Sequence, residues 1–190
     1  MYSTNYKRGV AQNVRRPDNR WVYVTVDDNG WVTSTRDALG RITAYSRDVM
    51  GRLTRINPPG SWADTVITYN FSGGGAVQTV TRGQSRETIT YDKLYRPVLE
   101  RTQALDTGWS SYVNIKYNAS GQVKFKSQPS TNSNETRGVD YLYDGLGRIY
   151  QERENVAPYA TTKHRYYSQG RHRIYDPSGA FTQYYRYGYG

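Results

Sequence analysis

The sequence predicts an all-β protein, built from antiparallel β-hairpin repeats that form a curved or spiralling sheet. A short turn motif recurs along most of the chain, and such internal repetition is typical of repeat architectures. The segments between the motifs alternate or are rich in β-formers, as in Thr88-Ile89-Thr90-Tyr91 and Val113-Asn114-Ile115-Lys116-Tyr117. No extended segment shows a helical period, so the intervening segments are interpreted as strands.

The motif is a strand-type or aromatic residue, then Asp or Asn, two variable positions and Gly, as in Tyr143-Asp144-Gly145-Leu146-Gly147. Asp or Asn at this place accepts hydrogen bonds from following amides, and the glycine supplies a positive φ. This chemistry predicts a hairpin loop. Tyr95 replaces the glycine in the copy that starts at Asp92. The predicted repeat-turn residues are Asp27, Gly30, Asp37, Gly40, Asp48, Gly51, Asn70, Gly73, Asp92, Asn118, Gly121, Asp144, Gly147, Asp176 and Gly179.

In chain order, residues 1–20 are predicted to be an N-terminal polar segment, residues 21–187 a single repeat domain and residues 188–190 a tail. The copies at Asp27, Asp37 and Asp48 recur every 10 or 11 residues, which indicates either shorter strands or loops on both edges. Farther on, the tyrosines at 69, 91, 117, 143 and 175 lie 22, 26, 26 and 32 residues apart. These intervals fit two strands, a motif loop and a return loop, so one repeat is one hairpin.

The composition is unusual for a folded chain. Leu, Ile, Val and Phe sum to about 32 of 190 residues, roughly 17%, whereas less than ~20% in a charged chain indicates disorder. The 20 Tyr and 4 Trp oppose that interpretation, because large aromatic side chains bury area readily. The absence of cysteine excludes disulfides, thiol catalysis and thiolate metal sites, and the sequence has neither a membrane-helix apolar run nor an apolar signal-peptide core at its start.

Several copies resemble the RHS or YD-repeat family closely. They are Thr90-Tyr91-Asp92, Leu142-Tyr143-Asp144-Gly145-Leu146-Gly147-Arg148-Ile149, and the consecutive segments 36–42 and 47–53, each ending in Gly-Arg and an aliphatic residue. The likeness covers about residues 22 to 185. It implies a strip of hairpins that coils into a hollow shell, which encloses a toxic domain in bacterial polymorphic toxins and in the C components of Tc toxin complexes. In teneurins, a related barrel serves cell adhesion.

The resemblance implies a non-enzymatic structural module, without a cofactor, that is either a segment of a larger bacterial protein, secreted or at the cell surface, or a stand-alone remnant of one. Its implied partners are further repeats, a second copy of itself or an encapsulated toxin domain. The chain is too short to close a shell and lacks an evident self-cleavage segment. Asp176-Pro177-Ser178-Gly179 resembles the Asp-Pro-x-Gly of that region, but no second copy follows before Gly190. Self-cleavage at Asp176 is the least favoured hypothesis.

Three alternatives concern the repeated residues. The tyrosines are either ligand platforms or fillers of one sheet face, and their recurrence favours filling. The Asp and Asn residues are either catalytic or metal-binding groups or turn caps, and the neutral Asn70 and Asn118 favour capping. The arginines, about 20 against six lysines, either bind nucleic acid or lie across tyrosine rings and pair with loop Asp. Their even spread favours the structural role.

The C-terminal region is the exception, because aromatic and basic residues interleave densely there. Its predicted binding residues, for carbohydrate or a polyanion, are Tyr166, Tyr167, Arg171, Arg173, Tyr184, Tyr185 and Arg186. The sequence predicts no catalytic, cofactor-binding or metal-binding residues. His164 and His172 are the only histidines, too few to suggest a metal site without cysteine, and Gly73-Gly74-Gly75 lacks the Lys-Ser or Lys-Thr of a phosphate loop.

Overall fold

The computed structural model describes residues 2–168 and 170–186, with the side chains of residues 2–4 left aside. Within these residues the protein consists of seventeen strands and contains no helix. Every strand pairing with a recorded register is antiparallel and joins strands consecutive in sequence, as for β13 with β14. The all-β, antiparallel hairpin prediction is therefore confirmed.

The chain divides into two compact units. The first contains Met1–Thr88 and Thr102–Gly108, and the second contains Ile89–Arg101 and Trp109–Gly190. The repeat domain predicted over 21–187 thus extends through both units. Of the predicted tail, residues 188–190 lie outside the described residues, as does Tyr187.

The first unit contains eight strands that pair in chain order. They are β1 (Tyr2–Lys7), β2 (Val10–Arg15), β3 (Trp21–Val26), β4 (Val32–Arg36), β5 (Ile42–Arg47), β6 (Leu53–Asn57), β7 (Thr65–Asn70) and β8 (Ala76–Arg82). Strands β9 (Ser85–Tyr91) and β10 (Pro97–Ala104) contribute residues to both units.

The second unit continues with seven strands, again paired in chain order. They are β11 (Ser110–Tyr117), β12 (Val123–Ser127), β13 (Gly138–Tyr143), β14 (Ile149–Glu154), β15 (Thr161–Tyr166), β16 (Arg171–Tyr175) and β17 (Phe181–Tyr185).

The N-terminal polar segment, residues 1–20, takes part in the ladder of the first unit. Strand β1 pairs with β2, with Tyr6 opposite Ala11, and β2 pairs with β3, with Asn13 opposite Tyr23. Because backbone groups supply these hydrogen bonds, a polar composition does not prevent strand formation.

In an antiparallel ladder of consecutive strands, successive loops lie alternately at the two ends of the strands, that is, along two opposite edges of the ladder. In the first unit, the loops at Asp27 and Asp48 therefore lie at one edge and the loop at Asp37 at the opposite edge. Of the two explanations offered for the 10-residue spacing, loops on both edges applies. In the second unit the loop at Asp144 lies at one edge, and the loop at Asp176 lies at the other.

The hydrophobic core is thin. Among the described residues, the buried apolar side chains are Val26, Ile115 and Phe125. Buried polar side chains are Ser127 and Glu135, and Glu135 accepts hydrogen bonds from the backbone amide and the guanidinium of Arg137. The low aliphatic content of the sequence is consistent with this architecture, because backbone hydrogen bonds between strands and half-buried aromatic rings make many of the contacts.

Candidate functional site: loop clamps and the basic aromatic cavity

The turn motif forms a closed loop around one carboxylate. In the loop between β13 and β14, Asp144 Oδ1 accepts hydrogen bonds from the amides of Leu146 and Arg148, each at 2.9 Å. The Asp144 amide donates to the Arg148 carbonyl at 2.9 Å, and Arg148 Nε donates to Asp144 Oδ2 at 2.8 Å. Gly147 holds φ at +77°, and a β-bulge lies between Leu142 and Tyr143. One Asp thus binds both the turn and the arginine that follows it.

The same amide-to-carboxylate pattern recurs at Asp27, Asp37, Asp48 and Asp92. At Asp37, Asp48 and Asp92 an arginine four residues on also pairs with the second carboxylate oxygen, at Nε–Oδ2 distances of 2.7–2.8 Å. The predicted turn glycines Gly30, Gly40, Gly51, Gly73, Gly121, Gly147 and Gly179 all have positive φ. Tyr95, in the glycine position, also has a positive φ, of 57°.

Hydrogen bonding lowers the pKa of the loop carboxyls. For Asp92 the largest cause is the Arg96 side chain, followed by the Arg96 backbone amide. For Asp144 the Arg148 amide comes first and its guanidinium second. For Asp176, where Ser178 replaces an arginine as the main partner, the Ser178 hydroxyl lowers the pKa most. These carboxylates stay ionised at neutral pH and are occupied by the turn itself, so turn capping accounts for them.

The loop arginine also contacts the next hairpin. Arg148 lies 4.2 Å from the ring centroid of Tyr166, and Tyr166 Oη donates to the carbonyl of Ile149 at 2.8 Å. Arg96 and Arg52 lie in the same way over Tyr117 and Tyr69, at 4.3 and 4.8 Å. We call this arrangement the clamp: an Asp-bound arginine covers a tyrosine whose hydroxyl binds the carbonyl of the residue after the arginine.

The clamp tyrosines and Tyr143, which makes the same hydroxyl–carbonyl bond without an arginine, are half-buried. Burial is the largest cause that raises the phenol pKa of Tyr117, Tyr143 and Tyr166, so each hydroxyl remains a protonated donor. The hydroxyls of Tyr69, Tyr117 and Tyr143 donate to Leu53, Pro97 and Val123, at 3.2, 2.8 and 2.7 Å. The repeated tyrosines therefore join successive hairpins, and no free ligand is needed to explain their recurrence.

The copies at Asn118 and Asn70 depart from the pattern in two different ways. At Asn118, Gln122 replaces the arginine, and its Nε2 donates to the carbonyl of Gly147 in the next loop at 3.0 Å. Asn70, predicted as a turn residue, lies instead in β7 opposite Val77, and the reversal occurs later, at 72–75, where Gly75 donates to the Ser72 carbonyl. The reason is the run of glycines: Gly73 and Gly74 both take positive φ, which delays the turn.

The predicted binding residues of the C-terminal region largely come together. Tyr166, Tyr167, Arg171, Tyr184, Tyr185 and Arg186 line one cavity of about 590 Å³, with Arg148, Gly170 and His172. Arg173 lies elsewhere, with its guanidinium 4.4 Å from the Phe181 ring centroid and its Nε bound to Gln183. No carboxylate lines the cavity, and Arg171 Nε is buried without a hydrogen-bond partner among the described residues.

A histidine pair beside this cavity was not predicted as a unit. His164 Nδ1 lies 3.2 Å from His172 Nε2, and His164 Nε2 lies 3.0 Å from Glu152 Oε1. The His172 ring stacks on Tyr166 at 4.4 Å between centroids. Burial is the largest cause that lowers the pKa of His172, followed by repulsion from His164 and Arg148. The sequence signal for this pair is that the two histidines lie eight residues apart, one on each side of the β15–β16 turn.

Within the described part of the chain, no group of three or more His, Asp or Glu side chains is placed to hold a metal ion. Nor does any helix in those residues have the length and apolar character needed to cross a membrane.

In a comparison with known protein families, the RHS Repeat family model aligns with residues 26–61. The matched segment contains the motif loops at Asp27, Asp37 and Asp48. Comparison with curated proteins gives no match. The chain thus carries an RHS-repeat segment, and the resemblance based on its Asp-x-x-Gly-Arg copies is confirmed.

Proposed function

We propose that this protein is a stretch of wall in a β-shell that encapsulates a toxin domain or another polypeptide, and that it has no enzymatic activity of its own. The clamp is the observation that carries the proposal. Each clamp joins a loop to the following hairpin through a guanidinium–ring contact and a hydroxyl–carbonyl hydrogen bond. Because the link passes from one repeat to the next, it supports a wall that extends along the chain.

Chemically, the repeated polar groups are engaged within the loops. The Asp48, Asp92 and Asp144 carboxylates bind their own turn amides and arginines. Groups bound in this way stabilise the loops, as expected of a structural module of the RHS type.

The test is limited proteolysis of the intact parent chain that carries this segment. We expect the residues that follow the repeat region to resist a protease that cleaves them rapidly when they are produced alone. Replacing Tyr117 and Tyr143, whose hydroxyls bind the preceding strands, with Ala should open the wall and restore cleavage, whereas Tyr150→Ala, at a 40% exposed side chain, is the matched control. Equal cleavage in the intact parent and in the isolated region contradicts encapsulation.

A second candidate is a surface module that binds a polyanion or carbohydrate, and the basic aromatic cavity favours it. Its arginines and rings surround a space that no carboxylate of the described residues lines, which suits a phosphate or sulfate ester. The test is salt-dependent retention on heparin. Arg171→Gln with Arg186→Gln should elute at lower salt than the equal-charge control Arg15→Gln with Arg20→Gln. Identical elution of the two double variants assigns retention to net charge alone.

A further inference from the structure

Of the four Asp–Arg pairs of the described turn motifs, the pair at Asp37 lacks the ring that covers the other three. Arg41 binds Asp37 through Nε at 2.7 Å, as the clamp arginines bind their own Asp. No aromatic ring of residues 2–168 and 170–186 lies over its guanidinium, in contrast to Arg52, Arg96 and Arg148. The side chain of Arg41 is 62% exposed.

The strand register explains this difference. In β6–β7, Arg55 pairs with Val66, and counting three positions toward the loop places Tyr69 opposite Arg52. In β14–β15, the same count from Gln151 and Lys163 places Tyr166 opposite Arg148.

In β5–β6, the recorded register ends at Asn57, where β6 also ends. Gly60 follows in the connection to β7 and lines the same cavity as Arg41; it has no side chain, and a Cβ built on it meets nothing within 4 Å. No tyrosine of β6 is therefore in register with Arg41, as Tyr69 of β7 is with Arg52.

The space beside Arg41 is a cavity of about 550 Å³, lined by Thr35, Asp37, Thr43, Pro59 and Trp62 among others. Sites for small ligands typically measure roughly 300–1,000 Å³. Trp62 is 69% exposed, although the Arg82 guanidinium lies 5.9 Å from its ring centroid. A guanidinium, an indole, a proline ring and two hydroxyls thus surround a space that accepts an aromatic ring with the backbone that carries it.

We propose that this cavity binds an aromatic side chain, tyrosine in particular, from a polypeptide partner. The ring would lie against Arg41 as Tyr69 lies against Arg52, and its hydroxyl would donate to the carbonyl of Ile42, which corresponds to Leu53 in that clamp. The identity of the partner as a polypeptide rests on the proposed encapsulation. To the proposed function, this adds the kind of group that the wall binds, an aromatic side chain of the partner.

The experiment is an NMR titration of the intact chain with N-acetyl-L-tyrosinamide, which monitors the indole N–H of Trp62, assigned with Trp62→Phe. We expect a saturable shift, a weaker response to N-acetyl-L-phenylalaninamide and none to N-acetyl-L-leucinamide. Arg41→Gln should abolish the response. Arg96→Gln is the matched control, because it removes an Asp–Arg pair already covered by Tyr117, and it should leave the titration unchanged.

Because Arg41→Gln removes a bond of the Asp37 loop, a second variant, Trp62→Leu, tests the cavity with that loop intact. In this variant the chemical shift of the Thr43 amide monitors binding of the tyrosine amide. We expect a response at least fivefold weaker than in the wild type. An equal response to the leucine amide, retention of binding in both variants, or a response to cellobiose but not to the tyrosine amide overturns the proposal. Failure here leaves the proteolysis test of encapsulation unaffected, so the two hypotheses fail separately.

Discussion

At the scale of single residues, each turn depends on one carboxylate and one position of positive φ. Asp48 binds the amides of Met50 and Arg52 and the guanidinium of Arg52, while Gly51 holds φ at +81°. These two requirements explain why the motif tolerates variation at its middle positions. Val49 and Met50 are 98% and 72% exposed and contribute little to the packing of the loop.

Gly51→Ala should destabilise the protein by more than Gly179→Ala does. The positive φ alone costs roughly 1–2 kcal/mol for a residue with a Cβ, and the added Cβ would lie 2.5 Å from Trp31 Cζ2. Gly179→Ala, which has a similar φ but open space around its Cβ, isolates the backbone contribution. Thermal unfolding of both variants measures the difference, and equal losses contradict the contact with Trp31.

Tyr143→Phe should lower the free energy of unfolding by about 1 kcal/mol, because it removes the hydrogen bond to the Val123 carbonyl. Tyr143→Ala should cost on the order of 3 kcal/mol, since the ring is lost as well. Tyr150→Phe, at an exposed site, serves as the control in urea unfolding. Full stability of Tyr143→Ala would mean that the ring does not join the two hairpins.

At the scale of strands and hairpins, tyrosine hydroxyls link strands to the strand that precedes them in the chain. Tyr117 on β11 binds the start of β10, and Tyr143 on β13 binds the start of β12. The histidine pair forms a second kind of link, which connects β14, β15 and β16 through Glu152, His164 and His172. Tyr166 and Tyr184 flank His172 from β15 and β17.

The histidine link should make this region sensitive to mild acid. The pKa of His172 is lowered in the folded state, so the unfolded chain binds the proton more tightly. Its neutral form therefore contributes stability above the unfolded pKa of about 6.5, and that contribution is lost as pH falls below it. We expect hydrogen exchange of β15 and β16 amides to accelerate between about pH 7 and pH 5 relative to β11.

The control is His172→Phe, which keeps a ring against Tyr166 and removes the titrating group. Its β15 and β16 amides should show the same pH dependence as β11. Persistence of the acid-dependent acceleration in this variant would mean that His172 is not its cause.

At the scale of the whole molecule, both units use the same loop chemistry. Asp37 and Asp48 in the first unit, and Asp92, Asp144 and Asp176 in the second, all have a lowered pKa. The net charge of +10 rises further when these carboxyls are protonated, which adds repulsion within the folded chain.

Acid should therefore weaken both units together. A carboxyl whose pKa is lowered on folding contributes stability above its unfolded pKa, about 3.9, and loses it as pH falls through the folded value. We expect the melting temperature to fall steeply below about pH 4, with amides of both units losing protection. A variant with Asn at Asp48, Asp92 and Asp144 should be less stable at pH 7 and show a shallower acid dependence. An acid profile identical to that of the wild type would mean that these carboxyls are not the titrating groups.

The amino-acid sequence by itself determined the all-β class, the hairpin loops and the family resemblance, because these depend on local chemistry. Asp capping and glycine at positive φ act within five residues, and such patterns are visible in a single motif. The three glycines at 73–75 show the limit of this inference. The turn forms after Asn70 because the neighbouring glycines Gly73 and Gly74 adopt positive φ.

Only the tertiary structure decided which residues meet across hairpins. The sequence predicted that arginines cover tyrosines, but the partner of Arg148 is Tyr166, eighteen residues on, and strand register selects it. Strand β6 likewise ends at Asn57 without a tyrosine beside Arg41, which leaves exposed a guanidinium that the motif alone would assign to another clamp. Because one residue of slip moves every side chain to the other face of a sheet, the sites of this protein depend on pairings that no local pattern specifies.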